Sequence, residues 1–285
     1  MKVLLLGATG TIGSAILTDL LQHGHSVLAL ARSDYAAQTI TAKGADVLRG
    51  DLREPQLWST AIHRVDAVIH VAATFCEDMG NIDLRVVNEL IAQANAKGGT
   101  TRFIYTGGVW LYGETGDIAA TEQSPFKPIS SFSWMIENSS LVLNAPSLHT
   151  NIIHPAVVYA KDAGVLSSFV PQNGQVEVWG SLDTRWPVVH TDDLASAYRL
   201  VLENGRSGMS YNVCGEQAVT VGDIAHSYIR KSRLPTELLV RSVDEVVAEN
   251  GAWALGPTLD QCMNADKIKR ELDWTPTHQN ILSEL

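Results

Sequence analysis

The stretch from Lys2 to Gly13 constrains the fold of this chain more than any other part of the sequence. It reads KVLLLGATGTIG, an apolar run of strand length followed by glycines at positions 7, 10 and 13. Apolar residues then recur at helical spacing from Ile12 to Leu20. The order of strand, glycine turn and helix predicts the first βα unit of a parallel sheet.

The same glycines suit the turn to a phosphate-bearing ligand. Without a side chain, glycine lets a pyrophosphate approach the amides at the helix N-terminus, where the helix dipole favours negative charge. We therefore expect a dinucleotide to bind here. The predicted contacts within the turn are Gly7, Thr9, Gly10, Thr11, Ile12 and Gly13. The alternative is a turn that needs glycine for backbone reasons only.

The end of the second predicted strand indicates which dinucleotide is preferred. The strand covers residues 26–30 and continues into Ala31, Arg32 and Ser33. A site specific for NAD usually places an acidic residue here, against the ribose hydroxyls. Arg32 can instead bind a 2′-phosphate through a charge-assisted hydrogen bond, and Ser33 can add a hydroxyl. The sequence therefore predicts NADP(H) in preference to NAD(H), unless Arg32 is simply a solvated surface residue.

Two later strand ends supply further predicted cofactor contacts. After the strand at 46–49, Asp51 can accept a hydrogen bond from the adenine amino group or cap the helix that starts at Pro55, and Leu52 follows it. After the strand at 67–71 come Ala72 and Ala73, which are small enough to let a cofactor lie against the backbone. Within that strand, His70 is interpreted as a buried, hydrogen-bonded core histidine.

Strand and helix patterns alternate regularly up to residue 156, and they become less regular afterwards. This predicts an α/β fold, with a Rossmann-type doubly wound parallel sheet that binds NADP in residues 1–156. Residues 157–285 are expected to form a smaller α+β region that binds substrate and is partly interleaved with the first. Its predicted strand and helices lie at 176–179, 192–203, 221–231 and 243–250.

Composition limits the partners and the compartment. Acidic residues number 31 and basic residues 21, and the resulting net charge of −10 argues against nucleic acid or an anionic membrane as the main partner. No basic leader precedes Val3, and no apolar run approaches the roughly 18 residues that suggest a membrane span. A cytoplasmic protein is therefore expected. The three cysteines lack metal-ligand spacing and predict no metal site.

Several motifs in this order resemble those of the extended short-chain dehydrogenase/reductases and, more narrowly, the NAD-dependent epimerase/dehydratase family. They are GATGTIG at 7–13, GDL at 50–52, VIHVAA at 68–73, FIYT at 103–106, HPAVVY at 154–159, RWPVVHTDDLA at 185–195 and LDWTP at 272–276. The resemblance thus covers essentially the whole chain. It implies a nicotinamide cofactor with Pro155 beside the nicotinamide, and it leaves a homodimer open, because related enzymes commonly dimerise.

The catalytic positions depart from the family pattern. Such enzymes use a Ser or Thr after strand five and a Tyr-x-x-x-Lys pair on the next helix. Here Gly108 stands at the hydroxyl position, and only Thr106 retains a hydroxyl nearby. Trp134 and Asn138 stand at the tyrosine and lysine positions, and neither is an equivalent acid. The resemblance still implies that Asn138 hydrogen-bonds the nicotinamide ribose.

Other groups are candidates for the missing acid. Besides Thr106, the first is Tyr112, which follows strand five on the crevice side and carries a titratable phenol; its alternative role is an aromatic pocket wall. The second is Glu137, a carboxylate on the helix that should face the nicotinamide. If partly desolvated it can act as acid or base, and otherwise it is a solvated charge.

The predicted substrate contacts favour a small apolar ligand. Arg185 and Trp186 fall where related enzymes contact substrate, and in sugar-nucleotide enzymes an arginine there often meets a phosphate. Five aromatic residues suggest an apolar pocket instead: Trp110, Tyr112, Phe132, Trp134 and Trp186. A carbonyl or enone-like small molecule is therefore favoured over a sugar.

Two classes of function follow from these observations. The first is an NADP(H)-dependent oxidoreductase, or an epimerase/dehydratase-like enzyme, that acts on a small carbonyl or alcohol without the Tyr-x-x-x-Lys pair. The second is an NADP(H)-binding protein without redox activity, either a sensor or a non-redox lyase or cyclase. The missing pair favours the second class, whereas the glycine turn agrees with both.

Overall fold

The computed structural model describes residues 1–160, 163–232 and 235–285. Its strands, in chain order, are β1 (Lys2–Leu6), β2 (Ser26–Ala31), β3 (Asp46–Arg49), β4 (Ala67–His70), β5 (Thr101–Thr106), β6 (Leu148–Pro155), β7 (Val157–Ala160), β8 (Ala163–Gly164), β9 (Gln175–Trp179), β10 (Arg185–His190), β11 (Met209–Val213), β12 (Glu216–Thr220) and β13 (Glu237–Arg241).

The α-helices follow the strands in regular alternation through the first half of the chain. They are α1 (Thr11–Gln22), α2 (Asp34–Ala42), α3 (Met79–Lys97), α4 (Trp134–Leu143), α5 (Thr191–Asn204), α6 (Val221–Lys231), α7 (Val243–Asn250), α8 (Asp266–Leu272) and α9 (Ile281–Glu284). The helix predicted after Pro55 is instead a pair of short 3-10 turns, Pro55–Leu57 and Ser59–Arg64. None of the helices in the described residues is long and apolar enough to cross a bilayer.

Seven strands form the central sheet, in the order β11-β6-β5-β4-β1-β2-β3. Every neighbouring pair in it is parallel. The predicted Rossmann-type doubly wound sheet is therefore confirmed. The seventh strand, β11, comes from beyond residue 156, so the sheet is completed by the C-terminal part of the chain. The boundary at residue 156 stays a prediction.

Both faces of the sheet are covered, which explains why β1 is apolar at consecutive positions. Val3 and Leu5 face the side where α1 and α5 pack, and they share one buried cluster with Tyr198 of α5. Leu4 and Leu6 point the other way, into a second cluster with Trp58 and with side chains of α3. Helix α5 belongs to the C-terminal half of the chain but packs on the sheet and on α1 of the N-terminal half.

The rest of the C-terminal half is a smaller α+β region. A four-stranded sheet runs in the order β12-β10-β7-β8, and β9 pairs in parallel with β13. Capping side chains set the starts of its helices: Thr220 caps α6, and Ser242 and Glu245 form a capping box at α7. This region lies next to the carboxyl edge of the central sheet through the β6–β7 connection at Ala156.

Candidate active site

The glycine turn at the carboxyl end of β1 packs closely against the protein's own backbone. Gly7 has a φ of +96°, and a Cβ on it would lie 2.9 Å from the Ala72 Cα atom. A Cβ on Gly13 would lie only 2.0 Å from the Gly7 carbonyl oxygen, so glycine is required for the helix to pack on the turn. Gly10 is the N-cap of α1 and has no side chain to bond the first-turn amides. Those amides therefore remain as donors for an anion.

Arg32 and Ser33 lie at the carboxyl end of β2, and both are exposed. Within the described residues Arg32 has no hydrogen-bond or ion-pair partner. The Ser33 Oγ atom accepts a hydrogen bond from the Ala36 amide at 3.2 Å, which leaves its hydroxyl hydrogen available. The nearby carboxylate of Asp34 is paired with Arg49 at 2.5 Å. The strand end thus presents a net positive, hydrogen-bonding surface.

Asp51 shapes the loop after β3 through a local hydrogen bond. Its Oδ1 atom accepts from the Arg53 amide at 2.9 Å, and its carbonyl oxygen accepts from the Trp58 indole at 2.7 Å. Asp51 therefore does not cap the turn that starts at Pro55, because Glu54 occupies the N-cap position there. The second carboxylate oxygen of Asp51 stays available for the predicted adenine contact.

A small cavity of about 10 Å³ lies at the carboxyl end of β4. Predicted cofactor and substrate residues line it together with side chains that the sequence did not single out: Leu52, His70, Ala72, Ala73, Thr74, Met79, Ile82, Asp83, Val86 and Trp134. Trp134 packs against Gly80 of α3, where a Cβ would lie 2.7 Å from the indole ring. Its Nε1 atom donates to the Ser131 carbonyl at 2.9 Å.

A buried carboxylate, Asp83 of α3, forms part of the wall of this cavity. Its Oδ2 atom accepts from the Tyr105 hydroxyl at 2.5 Å and from the Asn138 amide at 2.7 Å. Its Oδ1 atom lies 2.9 Å from the Nε2 atom of His70. We call these four residues, His70, Asp83, Tyr105 and Asn138, the Asp83 cluster. All four are at least 90% buried.

In the Asp83 cluster, neighbouring side chains offset the cost of burying the Asp83 charge. Burial alone would raise the pKa of Asp83, but the His70 imidazole and the hydrogen bonds from Tyr105 and Asn138 lower it on balance below its usual value. Burial and the Asp83 charge together raise the pKa of Tyr105 well above its usual value, so its phenol stays protonated. The cluster therefore holds a carboxylate in the interior of the protein.

The geometry corrects the predicted role of Asn138. Its side-chain amide donates to Asp83 and is buried, so it is not presented to a nicotinamide ribose. The prediction took the family's lysine position as exposed to the cofactor. Instead, the Asn138 amide, which is shorter than a lysine side chain, turns inward and hydrogen-bonds the Asp83 carboxylate of α3.

Thr106 is also corrected as a candidate catalytic group. Its Oγ1 atom donates to the His70 carbonyl oxygen at 2.7 Å, and the Tyr198 hydroxyl lies 2.7 Å from the same atom. Because the Thr106 hydrogen is already donated to a carbonyl, Tyr198 must donate to Thr106. The Thr106 hydroxyl thus links β5 to β4 and α5 by hydrogen bonds. It has no further hydrogen to donate to a substrate.

Tyr112 is buried in the 3-10 turn after β5 rather than directed into the crevice. It is 3% exposed, and its hydroxyl donates to the Asn212 Oδ1 atom at 2.7 Å. Burial, with a further effect of Glu122, raises the pKa of Tyr112 far above its usual value. Both predicted roles, acid and pocket wall, are therefore wrong, because the phenol bonds to β11 in the interior.

His154 lies next to Tyr112, and its ring explains why position 107 is a glycine. A Cβ on Gly107 would lie 2.2 Å from the His154 Nδ1 atom, so no larger residue fits there. The His154 ring packs between Tyr112 and Phe126, and its Nδ1 atom is buried without a partner among the described residues. Burial lowers the pKa of His154 to about 4.

Glu137, the second candidate acid, lies on the exposed face of α4. Helical geometry places Asn138, one residue on, in the interior, and this rotation turns Glu137 outward. The prediction of a partly desolvated carboxylate is therefore wrong, and the solvated alternative describes this residue.

Arg185 and Trp186 connect parts of the protein to each other and do not line an open pocket. Arg185 donates to both carboxylate oxygens of Asp260, at 2.9 and 2.6 Å, and to Asp117 at 2.8 Å. These hydrogen bonds raise the pKa of Arg185. Trp186 is 4% exposed and donates to the Pro257 carbonyl at 2.9 Å. Their predicted role in substrate binding is corrected, because internal partners occupy both polar groups.

Trp110 and Phe132 are the aromatic residues that remain partly exposed beside Trp134. The Trp110 and Phe132 rings lie 5.4 Å apart, and Trp110 packs so tightly on Gly256 that a Cβ there would lie 2.6 Å from the indole. The Trp110 Nε1 atom is buried without a partner in the described part of the chain. These partly exposed rings agree with the predicted apolar ligand, and the role of Trp110 stays a prediction.

One group of metal-type side chains lies outside this crevice. The candidate ligand atoms of His190, His278 and Glu284 lie within 4.8 Å of one another. The two imidazoles stack at 3.7 Å with an angle of 24°, so their ring planes do not converge on one point. Their Nδ1 atoms already contact the Asp192 amide and Glu284. We assign no metal to this group.

Sequence reasoning missed Asp83, although a signal for it was present. A lone aspartate at the start of a long apolar helix needs a buried partner, and the histidine in the neighbouring strand is such a partner. The two positions were not linked because they lie 13 residues apart on different elements.

Comparison with known proteins agrees with this architecture. An uncharacterized protein of Saccharomyces cerevisiae is 29% identical over the whole chain and 98% of its own length. A protein named NAD(P)H azoreductase, from Xenophilus azovorans, is 23% identical over 92% of this chain and 85% of its own length. The crystal structure of dTDP-glucose 4,6-dehydratase from Bacillus anthracis, in complex with NAD, has the same fold. It covers all of this chain and 94% of its own, with a TM-score of 0.81 and 19% identity.

The family assignment rests on the match to a family model. The model of the NAD dependent epimerase/dehydratase family matches residues 3–214, which include the glycine turn and every strand of the central sheet. The chain therefore belongs to the NAD-dependent epimerase/dehydratase family.

Proposed function

We propose that this protein is an NADP(H)-dependent oxidoreductase acting on a small carbonyl or alcohol. As a member of its family it is an oxidoreductase-like enzyme with a nicotinamide cofactor. The proposal adds the choice of cofactor and the class of substrate. It is supported by the charge at the end of β2 and by the partly exposed rings of Trp110, Phe132 and Trp134.

The observation that carries the cofactor choice is the exposed Arg32 at the end of β2, which has no polar partner in the described parts of the chain. A guanidinium there can hold a 2′-phosphate through charge-assisted hydrogen bonds, and the Ser33 hydroxyl can add another. The carboxylate beside it, Asp34, is engaged by Arg49 and so repels a phosphate less. NADP(H) is therefore favoured over NAD(H), even though the structural relative described above is bound to NAD.

The residues of the turn fit such a cofactor. The first-turn amides of α1 would hold its pyrophosphate, because the N-cap Gly10 has no side chain to bond them. Gly7 and Gly13 let the strand, the turn and the helix pack closely on one another. When bound, the nicotinamide supplies or accepts the hydride. The residues of this chain hold and orient the cofactor and exclude water around it.

The partly exposed aromatic side chains support the substrate class. Trp110, Phe132 and Trp134 offer apolar surface, while the arginine expected to meet a substrate phosphate is occupied by Asp260 and Asp117. A small apolar carbonyl compound fits this chemistry better than a nucleotide sugar.

The experiment is an absorbance assay of NADPH consumption by the purified protein over a panel of aldehydes, ketones and enones. Turnover with NADPH, and slower turnover with NADH at equal concentration, is the expected result. Arg64→Ala, which removes an exposed arginine far from the turn, serves as a control for general charge effects. NADPH that binds tightly but is never consumed with any substrate would contradict the proposal and favour a binding protein without redox activity.

A further inference from the structure

The Asp83 cluster has the layout of a proton-handling site. Two facts need explanation: the family's tyrosine and lysine positions hold Trp134 and Asn138, and a buried carboxylate, Asp83, lines the same cavity as Trp134. A carboxylate in the interior is costly unless it is fully hydrogen-bonded. Asp83 accepts hydrogen bonds from Tyr105 of β5 and Asn138 of α4, and the His70 Nε2 atom of β4 lies 2.9 Å from it as an ion-pair contact.

The tautomer of His70 follows from its neighbours. The Nδ1 atom accepts from the Ala72 amide at 3.4 Å, so it carries the lone pair. The neutral ring therefore has its hydrogen on Nε2. This atom lies 2.9 Å from the Asp83 Oδ1 atom, outside the geometry of a hydrogen bond. The amide contact to Nδ1 is long compared with an ordinary hydrogen bond of about 2.7–3.2 Å. The basic nitrogen is thus only weakly engaged.

The basic nitrogen also lies where chemistry is expected. Both His70 and Asp83 line the cavity at the carboxyl end of β4, together with Ala72, Ala73 and Trp134. Its volume of about 10 Å³ matches roughly one water-sized oxygen. Carboxyl strand ends in a doubly wound sheet form the ligand crevice, and the alanines after β4 are predicted cofactor contacts.

We propose that His70 exchanges the reaction's proton through its Nδ1 atom and that Asp83 is its positioning residue. Tyr105 and Asn138 fix Asp83 in turn. The arrangement replaces the missing tyrosine and lysine, and it rests on the proposed oxidoreductase function.

The step balances for reduction of a carbonyl. The substrate carbon gains a hydride from the reduced cofactor of the proposed function, and the electron pair of the C=O π bond moves to the oxygen. The oxygen forms an O–H bond as the Nδ1–H bond of the protonated imidazole breaks, directly or across one water. His70 returns to the neutral form and regains a proton from solvent. The Asp83 carboxylate stabilises the positive ring before transfer.

His70→Gln is the main test, because the glutamine amide can still donate to Asp83 while the titratable nitrogen is lost. We expect turnover to fall by about 10²–10⁴-fold, the usual contribution of a general acid or base, with NADPH affinity retained. The limb of the pH–turnover profile that belongs to this proton should also disappear.

The titratable groups in contact with His70 are Asp83 and Tyr105. Asp83→Asn should therefore shift that limb.

The chain offers a matched control. His25 also lies 2.9 Å from a carboxylate, Glu203, but it precedes β2 at the opposite edge of the sheet. His25→Gln should leave turnover and its pH profile unchanged. A second readout is independent of turnover: NMR of the histidine side chains should show the Nε2-protonated tautomer for His70. Addition of NADP⁺ should move the His70 nitrogen signals and leave those of His25 in place.

The outcomes separate the two proposals. Wild-type protein that never consumes NADPH overturns the proposed function and this role of His70 with it. Wild-type turnover that His70→Gln reduces by less than about twofold, with the pH profile intact, overturns only the role of His70. His70 signals that carry the Nδ1-protonated tautomer, or that do not respond to NADP⁺, overturn it as well.

Discussion

In the proposed function, cofactor selectivity depends on Arg32. Its guanidinium is exposed and close to the glycine turn, so its removal should affect only a ligand that carries a 2′-phosphate. Arg32→Ala is expected to weaken NADPH binding by about 1.5–3 kcal/mol, the range of a hydrogen bond to a charged group, and to leave NADH binding nearly unchanged. Calorimetric titration with both cofactors measures this. Equal loss for the two would rule out a phosphate-binding role.

At the same scale, the burial of His154 predicts how the stability of the protein depends on pH. Its pKa of about 4 in the folded protein lies below the ordinary value of 6.5, because the buried ring resists protonation. The unfolded chain therefore binds more protons between these values, and stability rises as pH increases through that window. Between pH 4.5 and 7 the effect is about 2 kcal/mol.

Urea unfolding at the two pH values tests this for His154→Leu. The variant should lose about 2 kcal/mol less than wild type on going from pH 7 to pH 4.5. His63→Gln, at an exposed histidine, should behave like wild type. An identical pH response in His154→Leu and wild type would show that the ring is not held neutral by burial.

At the scale of elements, the first βα unit depends on how closely α1 approaches the turn. A Cβ on Gly13 would overlap the Gly7 carbonyl, and the backbone on both sides leaves little room for relief. Gly13→Ala is expected to cost about 1–3 kcal/mol of stability, as overpacking does, and to weaken the binding of both cofactors. Thermal unfolding and cofactor titration measure the two effects.

Gly108→Ala is the matched control for stability, since a Cβ there has nothing within 4 Å. It should unfold close to wild type. If Gly13→Ala were as stable as this control and bound cofactor normally, the close approach of helix and turn would not be what selects glycine.

The order of elements could be predicted from the sequence, because hydrophobic periodicity and glycine position act over a few residues. The turn at 7–13 and the caps at Gly24 and Gly44, which have φ values of +78° and +89°, are local features of this kind. The directions of Tyr112 and Arg185 could not be predicted. Their partners, Asn212 and Asp260, lie 100 and 75 residues away, and only the assembled tertiary structure decides such contacts.

At the scale of the whole molecule, the two halves of the chain share one core. Strand β11 extends the central sheet beside β6, and α5 packs along α1, where Arg199 pairs with Asp19 at 2.9 Å. The predicted division at residue 156 separates cofactor residues from the rest of the chain. It also separates the first six strands of the sheet from β11, which completes the sheet, and from α5, which packs on it.

A fragment of residues 1–156 is therefore expected not to fold cooperatively by itself. It would expose the edge of β6 and the apolar face of the sheet on which α5 packs. The α5 side chains at that contact include Leu194, Tyr198 and Val201, which are fully buried in the whole chain. Near-ultraviolet circular dichroism and urea unfolding of the fragment measure this, with the full chain as the reference. A sharp unfolding transition with a native-like aromatic spectrum would show that residues 1–156 form an independent domain.

The central claim is that the glycine turn and the end of β2 together bind NADP(H). The most direct measurement is a crystal structure of the protein in complex with NADP⁺. We predict that the pyrophosphate lies against the amides of Thr11, Ile12 and Gly13, and that the 2′-phosphate is hydrogen-bonded by Arg32 and Ser33. A cofactor bound with its 2′-phosphate in solvent, away from Arg32, or a crystal that takes up NAD⁺ as readily as NADP⁺, would contradict the claim.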